Sequence, residues 1–174
     1  MIKNKLDILG AHSIPSDHIC NNTNNFDRYL SKEQIEALSN YDGLISFKNG
    51  AKIKPTLSTT QKSICDKNGY ISIDFLYGLG DDEYGIAYNT RKQAQASHEL
   101  DEFLIIGESS GGDKICLSKK NGGVYYWDHE SESIDDALHF IATDFSSFIN
   151  NLEDDIKIED DNKIKKTTWV NLKF

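Results

Sequence analysis

With 174 residues, 38% of them hydrophobic and 10% aromatic, the chain can build one well-packed domain but not two, and its aromatic content argues against disorder. A net charge of −9 and a pI near 5.0 repel phosphate backbones and anionic headgroups. Nucleic acid and membrane surfaces are therefore poor partners, and a basic protein is a fitting one.

Three widely spaced cysteines, Cys20, Cys65 and Cys116, contain no C-x-x-C pair, which argues against a disulfide framework or a zinc knuckle. The first residues lack the apolar run of a signal peptide, and no stretch reaches the roughly 20 apolar residues of a membrane helix. A cytoplasmic, reduced protein is expected.

Residues 1–27 read as irregular and polar, with Asn21-Asn22-Thr23-Asn24-Asn25 as a loop. Ser31 with Gln34 three positions on is a capping-box pattern, predicting a helix that starts at Ser31. In residues 41–50, Leu44, Ile45 and Phe47 suit either a short strand or a second helix. Gly43 weakens the helix by about 1 kcal/mol relative to alanine, whereas Gly50 just past its end favours it. The balance leans to helix. Ile71-Ser72-Ile73-Asp74-Phe75 alternates, predicting a strand that buries Ile71, Ile73 and Phe75. Residues 78–83 read as an acidic turn, 84–88 as a short strand and 90–97 as a short helix.

Phe103-Leu104-Ile105-Ile106-Gly107 is an apolar strand, broken by Ser109-Ser110-Gly111-Gly112-Asp113. Lys114-Ile115-Cys116-Leu117-Ser118 alternates, with Cys116 as a small core residue. Asn121-Gly122-Gly123 is a hairpin signal, and Val124-Tyr125-Tyr126-Trp127-Asp128-His129 is a third, aromatic strand. Ile141, Phe145, Phe148 and Leu152 fall on one helical stripe. Ile134 and Leu138 keep that rhythm, so a single helix from Ser133 competes with an edge strand over 138–142 and a helix capped by Thr143. Residues 153–174 read as an acidic linker and a β-prone tail whose apolar residues favour docking. Short connections favour antiparallel neighbours. The expected fold is a single α+β domain over residues 28–152, a curved, mainly antiparallel sheet with helices packed on one face.

Four blocks together resemble the SMI1/KNR4 family, also called the SUKH superfamily. They are Leu104-Ile105-Ile106-Gly107, then Gly112-Asp113-Lys114-Ile115-Cys116-Leu117, then Val124-Tyr125-Tyr126-Trp127-Asp128-His129-Glu130, and finally residues 141–152 with Ile141-Ala142, Phe145, Phe148-Ile149 and Leu152. Asp144 stands where the family usually has Ser, and the Leu-Pro expected upstream falls on Leu38-Ser39. The resemblance implies a protein-binding domain: bacterial members act as immunity proteins that neutralise a cognate toxin, and fungal members as regulatory scaffolds. It implies no catalysis, cofactor or metal. It also marks Gly107, Gly111, Gly112, Asp113, Trp127, Asp128, Phe145 and Phe148 as fold-defining.

The chemistry-bearing residues read the same way by themselves. Asp128 and His129 could serve acid–base or metal chemistry, but successive strand residues point to opposite faces. Gly111-Gly112-Asp113 leads into no helix and lacks a following Gly-Lys-Ser/Thr, so it reads as a tight turn rather than a phosphate loop. Asp81-Asp82-Glu83 lacks the spacing of a calcium loop. No Gly-x-Ser-x-Gly elbow is present. An enzyme on this fold would need a pocket gathering His129, Asp113 and a third polar group. Composition and loop placement offer Asp81, Asp82, Glu83, Tyr84, Asp101, Glu102 and Glu108 as contacts for a protein partner; the resemblance implies that this partner is a toxin domain, and the acidic charge suits a basic one.

Overall fold

The computed structural model describes residues 1–15, 26–41, 43–56, 64–96 and 98–156. Among these, the helices are α1 (Ile2–Ile8), α2 (Lys32–Leu38), α3 (Ile86–Ala96), α4 (Ile134–Ala137) and α5 (Phe145–Asn150). The strands are β1 (His12–Ile14), β2 (Leu44–Ser46), β3 (Ala51–Ile53), β4 (Ile71–Ile73), β5 (Phe75–Leu76), β6 (Phe103–Glu108), β7 (Lys114–Ser118), β8 (Val124–Trp127), β9 (Leu138–Ala142) and β10 (Leu152–Asp154). Seven of them form a sheet in the order β1-β2-β5-β6-β7-β8-β9, and a smaller sheet runs β10-β3-β4. Every named pairing is antiparallel, as the short connections predict. Among the described residues no helix is long and apolar enough to cross a membrane.

Directly opposed residues of a sheet share a face, so the registers define its two sides. Ile45, Leu76, Gly107, Ile115, Tyr126 and His139 oppose one another in one row across six strands, and all are buried. This face joins the core that holds Ile2 and Leu6 of α1, Leu38 of α2 and Phe148 of α5. The other face carries Phe75, Glu108, Lys114, Trp127 and Leu138 in one row, each half-buried. Its next row runs Ile105, Cys116, Tyr125 and Phe140.

The predicted cap of α2 is present: Ser31 accepts from the Gln34 backbone N–H, and the Gln34 side chain accepts from the Ser31 N–H. Several other expectations are corrected. Residues 1–27 are not irregular where described, since Ile2, Leu6 and Leu9 put an apolar stripe on α1 and β1 pairs with β2. Residues 44–46 form a strand rather than a helix, because pairing with β1 and β5 on both sides overrides local preference. Gly50 (φ 75°) then serves the turn into β3 rather than a helix end.

The strand expected over residues 71–75 breaks at Asp74, where the chain passes from the small sheet to the large one. There the Asp74 N–H donates to the Glu108 carbonyl at 3.0 Å, and Leu76 replaces Phe75 on the buried side. Helix α3 starts at Ile86, in place of the short strand expected over 84–88.

Of the two readings of residues 133–152, the strand-then-helix one holds, with Asp144 rather than Thr143 as the cap. Its carboxylate accepts from the Ser147 N–H at 2.8 Å, a bond that holds the carboxyl below its ordinary range. A charged acceptor at this position also interacts favourably with the N-terminal end of the helix dipole. Glu153 and Asp154 belong to β10 rather than to a linker. The Asn-rich loop, Cys20 and the tail from residue 157 lie outside the described residues.

Candidate functional site

The β6–β7 connection is a single 3-10 turn, Ser110–Gly112, with Gly111 at φ 86° and Gly112 at φ 99°. That left-handed backbone, rather than crowding, is what calls for glycine, because no atom lies within 4 Å of where a Cβ would stand at either position. The turn delivers Asp113 to the end of β8. Asp113 Oδ1 accepts from the His129 backbone N–H at 3.1 Å and lies 2.7 Å from His129 Nδ1, while Oδ2 accepts from the Tyr126 hydroxyl. This correction matters: β8 ends at Trp127, so Asp128 and His129 sit in a turn and do not diverge as strand residues would. Ligand atoms of Asp113, Asp128 and His129 all lie within 4.8 Å of one another.

What this cluster can do follows from who holds whom. Asp113 satisfies three donors at once. Asp128 accepts from the Glu130 N–H and the Ser131 hydroxyl, each at 3.0 Å. Hydrogen bonding to Asp113 raises the pKa of His129, and burial followed by Asp113 pushes the Tyr126 hydroxyl well above its ordinary value. Tyr126 is thus a firm donor at neutral pH and a poor nucleophile. Burial also pushes the Cys116 thiol up, against the opposing pull of Lys114. The gathering of His129, Asp113 and a third polar group that an enzyme would need is present, and its hydrogen bonds tie the β6–β7 turn to the turn after β8.

Asp113→Ala is expected to destabilise the domain by about 1–3 kcal/mol, because it removes the carboxylate that accepts from the buried Tyr126 hydroxyl and from the His129 N–H. Tyr126→Phe in the Asp113→Ala background should recover part of that loss, as read from urea denaturation midpoints.

His139, beside the cluster, is 7% exposed, and its Nε2 is buried without a hydrogen-bond partner among the described residues. Burial lowers its pKa, against the opposing pull of Asp128 and Asp136. A histidine depressed in the folded state takes up its proton more readily when unfolded, so stability falls as pH drops below about 6.5. His129 has the opposite sign: its contribution is full below about 6.5 and fades as pH rises through its raised value. His139→Phe is therefore expected to flatten the acid side of a plot of Tm against pH between 5 and 8.

A model of the SMI1 / KNR4 family (SUKH-1) matches residues 21–151, most of the chain. The chain belongs to the SMI1/KNR4 family. It is also 28% identical over 143 residues, covering 75% of this chain and 70% of the relative, to the SPbeta prophage-derived uncharacterized protein YokK of Bacillus subtilis (strain 168).

Within the SMI1/KNR4 domain, Phe145 and Phe148 are buried on α5, and Gly107 lies where a Cβ would come within 2.6 Å of the Phe75 carbonyl oxygen. Half-buried Trp127 has its ring 6.4 Å from that of His129.

The residues expected to contact a partner do not form one patch. Asp81, Asp82, Glu83 and Tyr84 lie in the turn before α3, where Asp81 pairs with Arg91 at 2.6 Å and Asp82 accepts from the Tyr84 N–H. Asp101 and Glu102 are exposed at the start of β6, where Lys119 donates to the Asp101 carbonyl. Glu108 lies at the far end of that strand, half-buried and held by both Lys114 and the Tyr77 hydroxyl.

Sequence reasoning passed over a stronger signal. Residues 121–156 hold nine Asp and Glu and no Lys or Arg, while the 19 acidic and 19 basic residues outside them balance. This one stretch accounts for the whole net charge. Five of the nine, Asp128, Glu130, Glu132, Asp135 and Asp136, line the connection from β8 to β9. None of those five forms an ion pair with Lys or Arg among the described residues.

Proposed function

We propose that this SMI1/KNR4 domain is a bacterial, cytoplasmic immunity protein that neutralises a cognate toxin domain by binding it directly. Family membership supports the protein-binding role. The observation that carries the reading further is the confinement of the net charge to residues 121–156, with five carboxylates on one loop that form no ion pair with Lys or Arg among the described residues. A domain that stabilised only itself would gain from placing Lys or Arg beside them. Unpaired like charge costs folding stability through self-repulsion and is useful when a basic surface arrives. A prophage-derived relative also fits a protein carried with conflict systems. The reading requires no catalysis and no cofactor.

The test is co-expression with the C-terminal domain of the neighbouring large open reading frame, scoring growth and co-purification. Rescue of growth with a stable complex supports immunity. An inert neighbour that does not bind overturns it and favours a regulatory scaffold with an endogenous partner.

A further inference from the structure

Two features meet at β8 and β9, where the face of the large sheet that carries Trp127 passes from fully buried Ile105 and Cys116 to half-buried side chains. The first is a row of aromatic rings: Phe103 packs edge-on to Tyr125 with centroids 5.6 Å apart, and Tyr125 edge-on to Phe140 at 5.4 Å. Trp127 and Leu138, directly opposed on β8 and β9, extend the row on the same face. The second is the acidic loop, which leaves this face at Trp127 and returns to it at Leu138, so its carboxylates rim the aromatic row at one end. The Asp128 N–H donates to the Ala137 carbonyl at 2.9 Å, closing the loop onto the sheet. The only cation in the row, Lys114, is already committed to Glu108.

A partly solvated aromatic centre with a charged rim is how protein interfaces concentrate their binding energy: rigid rings supply contact area, and charge supplies steering and orientation. The turn before α3 offers carboxylates too, but there Asp81 is neutralised by Arg91, and the one exposed ring nearby is Tyr88 at 37% exposure.

We infer that the partner docks on the outer face of β8 and β9. Tyr125 and Trp127 form the contact centre there, and Glu130, Glu132 and Asp135 receive a basic rim of the partner. The occupant is a basic protein surface, argued from charge complementarity; this inference rests on the immunity reading and locates its contact.

The experiment measures affinity for the purified C-terminal domain encoded beside this chain, against three forms of the protein. The wild type is compared with E130K/E132K/D135K and with D81K/D82K/E83K, all six positions being in solvated loops or a short surface helix. The expected result is tight wild-type binding that steepens with falling salt, a loss of at least 30-fold for E130K/E132K/D135K, and a change within threefold for D81K/D82K/E83K. A photo-crosslinking residue in place of Tyr125 should capture the domain, and one in place of Tyr88 should not. Thermal melts of each variant separate lost binding from lost folding.

Equal binding by all three forms, or loss only in D81K/D82K/E83K, overturns the docking face while leaving the immunity reading intact. Failure of the wild type to bind overturns that reading, and the docking face falls with it.

Discussion

Phe148→Ala is expected to destabilise the domain by about 3–5 kcal/mol, lowering Tm by roughly 6–20 °C. Phe148 is fully buried on α5, with its ring 6.4 Å from that of Phe145. Helix α5 spans six residues and links β9 of the large sheet to β10 of the small one. A helix that short has little intrinsic stability, so its place depends on the side chains it buries. Removing one of its two buried phenylalanines leaves a cavity in the core where α5 packs against α1 and β9. Total stabilities of domains run about 5–15 kcal/mol, so the variant should sit near the limit of folding at 37 °C. Phe148→Leu should cost clearly less, since it keeps most of the buried volume. Denaturant midpoints and calorimetry on both variants check the pair.

Gly85→Ala is expected to destabilise by about 1–3 kcal/mol, toward the upper end, for a different reason. The backbone of Gly85 is not in the left-handed region, so conformational freedom is not what the position demands. A Cβ there would stand inside the envelope of the Gly80 carbonyl. The obstacle is backbone, so no side chain can rotate aside. Around it the Gly78 N–H donates to the Tyr84 carbonyl at 3.1 Å and the Ile86 N–H to the Gly78 carbonyl at 2.9 Å. Opening that loop therefore costs hydrogen bonds as well as contact. Limited proteolysis should show new cleavage within residues 78–86 in the variant, with a lowered denaturation midpoint. Unchanged proteolysis and stability would show that the loop relaxes freely.

Elements with strong local signals were readable from the chain. The capping box at Ser31, the apolar run of β6 and the Asn-Gly-Gly hairpin each carry their cause within a few residues, whereas the helical stripe is cut short, with Ile141 in β9 and Leu152 in β10. What escaped was decided by distant partners. Leu44-Ile45-Ser46 is a strand only because β1 and β5 flank it, and nothing within residues 41–50 states that. Asp74 reads as one polar step of an alternating strand, yet the chain changes sheets there, a fact set by the Glu108 carbonyl 34 positions away.

At the candidate site, the motif residues were found from their resemblance, but their convergence was not. Sequence placed Asp128 and His129 on opposite faces because it ran β8 two residues too long, and that boundary is fixed by Asp113 from another turn. The acidic loop was fully visible in the chain. It was missed because charge was weighed as a total of −9 and not along the sequence.

The small sheet joins Leu152 to Ile53, so its central strand waits for a partner made ninety-nine residues later. During synthesis at about 5–20 residues per second, β3 has β4 beside it early, while its other edge stays open. Only when residues 152–154 clear the ribosome can β10 cover that edge. A translation product that stops before residue 152 would leave that strand edge unpaired and exposed to degradation or aggregation.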